Sequence, residues 1–213
     1  LEAQRNIPIA GKSQVLICGG GPAGIGAALA AARAGAQTQL IELAGCLGGV
    51  WTAGMLTKII DGGRKVGIMQ EILQEMATRG SNVDKKTKGE IYDPELMKLV
   101  LEEMCVKAGV KIQLHTQLVG TVVDKQKRVV AVITESKSGR QAWLADRFID
   151  CSGDADLAAQ AGCQFDVGIN SQCECQPMSL MALLAGPDPA TISDYVRELA
   201  GEKAKSNLFR LMK

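Results

Sequence analysis

A chain of 213 residues with 24 Lys and Arg against 23 Asp and Glu, a formal net charge of +1, is long enough to bury its own core. It lacks the basic field that nucleic acid or an anionic membrane attracts, which leaves a small molecule as the expected partner. Disorder is excluded by the 46% hydrophobic content, and glycine stands out at 24 residues, about 11% where ~7% is usual.

Residues 1–13 read as a loose leader. An apolar run at 14–18 reads as a buried strand, halted by Gly19-Gly20-Gly21. Pro22 suits a first helical turn, the alanine-rich stretch 23–34 a helix, and Gly35 its C′ position. A second strand is expected at 37–42, which makes a right-handed βαβ unit with parallel strands. Residues 15–32 carry no charge over eighteen positions, yet the Gly19-Gly20-Gly21-Pro22 interruption forbids a continuous membrane helix.

The glycine-rich stretch 45–63 has no clear periodicity. Helical spacing of Val66, Met69, Ile72, Leu73 and Met76 predicts a helix over 64–79, and 84–88 reads as a solvated loop. Asp93-Pro94-Glu95 is a helix start with an N-cap carboxylate and Pro at N1, and the helix runs to Ala108 with Gly109 as C′. A strand at 110–115 follows. Residues 118–145 alternate and turn twice, the pattern of a three-stranded antiparallel meander, and 147–150 returns to the main sheet. A short helix ending near Ala161 comes next, then strands within 163–185 and helices at 188–200 and 202–213. The fold class expected is α/β, a Rossmann-like FAD/NAD(P)-binding domain with a three-stranded β-meander and the start of a second, mainly β substrate domain.

Gly19-x-Gly21-x-x-Gly24 follows a strand and opens a helix, and Glu42 ends the next strand. Gly19 permits the tight turn, Gly21 a close approach of backbone to a pyrophosphate, and Gly24 close helix–strand packing. The pyrophosphate sits on the helix N-terminus, and Glu42 accepts the ribose hydroxyls. Asp150-Cys151-Ser152-Gly153-Asp154 closes a sheet strand near the same crevice. The residue types there fit either a ligand-facing turn or a plain strand-to-helix turn capped by Asp154 or Asp156.

These segments, with 47–55, 93–116 and 175–188, resemble the FAD-dependent oxidoreductases of the glutathione-reductase-like superfamily, and among them a bacterial, largely uncharacterised group. The resemblance covers about 15–188. It implies that Gly19, Gly21, Pro22, Ala23 and Gly24 hold the FAD pyrophosphate and Glu42 the adenosine ribose. Gly48, Gly49 and Thr52 then lie along the ribityl and flavin side, Leu118 touches adenine through its backbone, and Ser152, Gly153 and Asp154 line the far side of the adenosine half. Disulfide reductases of that superfamily carry two redox cysteines where this chain has Trp51 and Leu56, so a dithiol relay through that motif is excluded.

The resemblance implies a domain order of leader 1–13, FAD-binding domain 14–162 and the beginning of a substrate domain at 163–213. It also makes this chain the N-terminal piece of a longer protein, whose C-terminal portion is then a partner alongside the small-molecule substrate. No nucleic acid and no membrane span are expected, and a homo-oligomer is compatible with the sequence. Two other readings stay open: an NAD-dependent dehydrogenase using the same βαβ motif, and a non-catalytic flavin-binding protein.

His115, the only histidine, is read as structural, since no acid or nucleophile is matched to it. Cys173 and Cys175 form a C-x-C pair without a second pair to complete a metal site, so no metal is expected. Cys46, near the flavin loop, is read as a small loop hydrophobe, and Trp51 as either a flavin stacker or a cover for the glycine loop. No catalytic acid or base is assigned. Seven cysteines, an odd number set mostly in apolar runs, fit reduced thiols and favour a cytoplasmic setting. A chain beginning at Leu1 is equally compatible with a targeting segment removed ahead of it.

Overall fold

A computed structural model of the chain describes residues 6–59, 65–81 and 90–169, with 174, 175, 178 and 181. The chain separates into two compact units, 1–179 and 180–213, and Met181 is the described residue of the second. The helices expected at 188–200 and 202–213, the loop at 84–88 and most of 170–185 lie outside the described residues.

Strand β1 (Ile9–Cys18) leads through the glycine turn into α1 (Pro22–Arg33) and then β2 (Thr38–Ile41). The two strands pair in parallel, Val15 opposite Thr38 and Cys18 opposite Ile41, which is the expected βαβ unit. Strand β3 (Lys58–Ile59), helix α2 (Ile68–Thr78), strand β4 (Glu90–Ile91) and helix α3 (Pro94–Lys107) follow, the two short strands pairing antiparallel. Asp93 caps α3 as its sequence dictates, its carboxylate accepting from the N–H groups of Glu95 and Leu96. Strand β5 (Lys111–Gln113) then pairs in parallel with β2.

The meander is β6 (Gln117–Val123), β7 (Val129–Ser136) and β8 (Gly139–Asp150), antiparallel at both joints. Its third strand and the return to the main sheet, read from the sequence as two pieces, are one strand of twelve residues. One edge of β8 pairs with β7 and the other runs in parallel along β1, from Ile9 opposite Ala142 to Cys18 opposite Asp150. That pairing corrects the leader: β1 begins at Ile9, inside the segment read as loose, because β8 extends far enough to hold it. Gly11 lies flat against the Trp143 ring, where a Cβ would come within 2.9 Å of it. The sheet order is β5-β2-β1-β8-β7-β6.

At the inner end of β1 alternate residues enter two cores, so residues 15–18 are a continuous apolar run. Ile17 joins Ile25 and Leu29 of α1, Ile72 and Met76 of α2, and Met97, Val100 and Leu101 of α3. Leu16 and Cys18 face the other way, toward Val132, Trp143 and Leu157. The Trp143 indole N–H, buried there, donates to the Thr134 hydroxyl at 2.9 Å. After α4 (Asp156–Gln160), residues 163–169 form no strand, contrary to the expectation for that stretch. Among the described residues no helix is long and apolar enough to cross a membrane.

Candidate functional site

The parallel strands β1, β2 and β8 all end at the same edge of the sheet, and chain direction departs both ways from β1, to β2 on one side and β8 on the other. A crevice outside such strand ends is where open α/β sheets bind ligands. A groove of about 610 Å³ lies there. Gly19, Gly21, Pro22 and Ala23 line it from the first turn, Glu42 from the end of β2, Gly49 from the glycine-rich loop, and Ser152 and Gly153 from the turn after β8.

Each glycine of the first turn has its own reason. Gly19 has φ +102°, and a Cβ there would sit 2.1 Å from the Cys151 carbonyl oxygen. At Gly24 a Cβ would fall 1.9 Å from the Gly19 carbonyl oxygen, so α1 rests directly on the turn. Gly20, which the motif leaves unspecified, is equally constrained: a Cβ would meet Leu47 at 2.7 Å and the Glu42 carboxylate at 3.1 Å. Gly21 differs from all three. A Cβ there would have no neighbour within 4 Å, so the open space beside it belongs to the groove. Gly21 is also the N-cap of α1, and no side chain caps that helix, which leaves first-turn N–H groups free to meet an anion.

Glu42 is 9% exposed, and both of its carboxylate oxygens are held by backbone N–H groups. Oε2 accepts from Gly20 at 2.5 Å and Oε1 from Ala44 at 2.7 Å. A carboxylate offers about four acceptor positions, so two remain for a ligand's hydroxyls.

The glycine-rich loop folds back on the first turn. The Gly48 N–H donates to the Gly20 carbonyl at 2.7 Å, and a Cβ on Gly49, which has φ +52°, would come within 3.0 Å of the Gly21 Cα. Thr52 is fully buried beneath the loop, its hydroxyl donating to the Leu47 carbonyl, so it shapes the loop without facing the groove. Gly48 packs on Thr52 and likewise does not line the groove. Trp51 is buried in the helix-side core and Tyr92 ties its carbonyl down, which settles it as a cover for the loop. Val50, half-exposed, takes the groove-facing position that the sequence reading missed.

Asp150 organises the other wall. Its Oδ1 accepts from the Ser152 N–H and hydroxyl at 3.0 and 2.7 Å, and Oδ2 accepts from the Ala158 N–H at 2.8 Å. The Ser152 oxygen accepts in turn from the Asp156 N–H. Capping of α4 therefore falls to Asp150 and Ser152, not to Asp154 or Asp156. The N-cap position is Ala155, in the left-handed region at φ +59°. Burial works against ionisation of Asp150, but the hydrogen bonds from Ser152, Ala158 and Leu157 outweigh it and hold the carboxyl below its ordinary value. Asp154 lies outside the groove lining, whereas Asp150, Cys151, Ala155 and Ala158 belong to it. Leu118, on β6, packs its side chain on the second core and does not line the groove either.

A larger concavity of about 880 Å³ lies between α1, α2 and α3. Its guanidinium groups are spent on local pairs, Arg33 with Glu71 and Arg79 with Glu75 and Glu103, and it is remote from the strand ends. No group of three or more His, Cys, Asp or Glu able to hold a metal occurs among the described residues.

Residues 14–212 match the family described as FAD dependent oxidoreductase. The chain belongs to the FAD-dependent oxidoreductase family. Its dinucleotide is accordingly FAD, and the groove fits that group: a glycine without a Cβ neighbour at an uncapped helix start, and a carboxylate with acceptor positions to spare.

Among solved structures, the family member shares its fold with THI4 of Thermovibrio ammonificans at 20% identity and a TM-score of 0.54, over 70% of this chain and 61% of that one. It aligns with a geranylgeranyl bacteriochlorophyll reductase-like protein of Thermoplasma acidophilum at 19% identity and TM-score 0.53, over 71% of this chain and 42% of that one. L-proline dehydrogenase from P. horikoshii aligns at 12% identity and TM-score 0.54, over 76% and 58% of the two chains. The chain thus spans about 40–60% of the length of these structures. No curated protein sequence matches it.

Proposed function

We propose that this chain forms the FAD-binding part of an oxidoreductase acting on a small molecule, in the glutathione-reductase-like superfamily. When bound, the flavin supplies the hydride or electron transfer. The residues of the chain bind and orient it. The N–H groups of Gly21, Ala23 and Gly24 meet the pyrophosphate, with Pro22 setting the first helical turn, and Glu42 takes the ribose hydroxyls. Gly49 and Val50 face the flavin side over the scaffold built by Gly48 and Thr52, while Ser152 and Gly153 complete the adenosine half.

The observation that carries this reading is the conjunction, at one sheet edge, of an uncapped helix start with open space at Gly21 and a buried carboxylate, Glu42, across the same groove. The six-stranded order with a meander beside β1 supports FAD over NAD, since a nicotinamide domain continues with further strand–helix units. We assign substrate contacts to the segment from 163 onward, where Phe165, Val167 and Ile169 are all exposed to solvent. We also place the protein in the cytoplasm, on the strength of seven cysteines set mostly in apolar runs.

Visible absorption of the purified full-length protein, followed by mass identification of the released ligand, tests the proposal. A flavin spectrum and released FAD are expected. Released NAD, or no ligand together with no uptake of added FAD, overturns it. Bound FAD that neither dithionite nor a nicotinamide donor reduces assigns the chain to a non-catalytic flavoprotein.

A further inference from the structure

The only histidine sits one strand end away from the ribose carboxylate, and its conformation is unexpected. His115 has φ +51°, the left-handed region that glycine and asparagine enter more easily than a bulky side chain. Histidine is among the residues that tolerate this conformation, so the turn permits it without requiring its ring. The ring does have a neighbour: it lies on Gly45, where a Cβ would come within 2.5 Å of Cε1 and 2.7 Å of Nε2.

Gly45 belongs to the short segment that aims Glu42. The Glu42 N–H donates to the Gln113 carbonyl and its carbonyl accepts from the Thr116 N–H, both at 2.9 Å. The Ala44 carbonyl accepts from the His115 N–H at 3.1 Å, and the Ala44 N–H is one of the two donors that hold the Glu42 carboxylate. Residues 42–45 are thus strapped to 113–116 by three backbone hydrogen bonds, and the imidazole presses on the free end of the strap.

We propose that His115 is a positioning residue for the adenosine half of the cofactor, its ring fixing Ala44 and Gly45 so that Glu42 points its carboxylate at the ribose. The inference rests on the FAD reading of the groove. It assigns the residue to neither proton transfer nor direct contact with the cofactor.

Four variants test it, each measured for FAD affinity by fluorescence and for thermal stability without ligand. His115→Gly and His115→Asn remove the ring and relieve the left-handed strain, so ligand-free stability is expected to hold or rise while FAD binds about tenfold more weakly, the loss of one well-aimed hydrogen bond to a charged group. A residue needed only to make the turn gives the opposite result, tighter folding with unchanged affinity, and that overturns the proposal. Gly45→Ala displaces the exposed ring and is expected to reproduce the loss, with His115→Gly/Gly45→Ala no weaker than either single variant. ADP competition is expected to weaken by the same factor, and FMN competition to stay as it is. Equal weakening of FMN overturns the assignment to the adenosine half. Should the wild-type chain bind no FAD, the reading of the groove fails and not the role of His115 within it.

Discussion

The four small residues at the start of α1 divide into two kinds, and substitution by alanine separates them. At Gly24 the added Cβ meets backbone at 1.9 Å, which no rotamer change relieves, and the expected cost is at least about 3 kcal/mol of a total that is ordinarily ~5–15 kcal/mol. At Gly21 the methyl has no protein neighbour and φ is −70°, which any residue adopts, so Gly21→Ala is expected to unfold within about 0.5 kcal/mol of wild type. Its loss is at the cofactor, where a larger residue at the same place abolishes FAD binding. Urea titration and FAD titration of the two variants check this, and a Gly21→Ala protein that folds and keeps wild-type affinity removes the pyrophosphate from that position. The motif made Gly19, Gly21 and Gly24 legible because their spacing encodes a turn before a helix. Gly20 was not legible, since its constraint comes from Leu47 and Glu42, which are near it only after folding.

At the scale of elements, the turn between β8 and α4 shows why an acid's identity is harder to read than a helix's. Three aspartates fall within seven residues, and sequence proximity favours Asp154 and Asp156 as caps. Asp150 reaches the Ala158 N–H instead, eight residues on, because Gly153 at φ +97° and Ala155 at φ +59° fold the turn back over the strand end. Asp150→Asn is expected to cost about 1–2 kcal/mol at neutral pH, the usual worth of a cap. The pH dependence has a definite sign. The folded carboxyl is held below its ordinary value of 3.8, so its contribution is complete above that value and vanishes as pH falls through the lower folded one. The gap between wild type and Asp150→Asn in chemical denaturation is therefore flat from pH 7 to about pH 4 and closes below it. A gap that narrows between pH 7 and 5 contradicts this. Strand β8 poses a related problem: its outer half pairs with β7 and its inner half with β1, and the exposed charges Asp146 and Arg147 fall between the apolar stretches, so it reads as two pieces although one backbone carries both.

For the whole molecule, the groove matters because it joins parts that otherwise share only the sheet. Its walls come from α1 and the loop around Gly49 on the side of the first core, and from the Ser152 turn and α4, whose Leu157 belongs to the second. A ligand that touches both walls is bound only when both are formed, so it stabilises the unit as a whole. At a hundred times its Kd, FAD is expected to add about 2.7 kcal/mol, which for a chain of this size corresponds to roughly 5–10 °C in Tm. FMN, which lacks the adenosine that Glu42 and the Ser152 turn address, is expected to give less than half that rise at equal concentration. The control is Gly21→Ala, whose ligand-free Tm matches wild type but which loses the FAD-dependent increment. Differential scanning calorimetry of the two proteins with and without FAD measures all of these quantities. Equal increments in both proteins place the stabilising contacts elsewhere on the molecule.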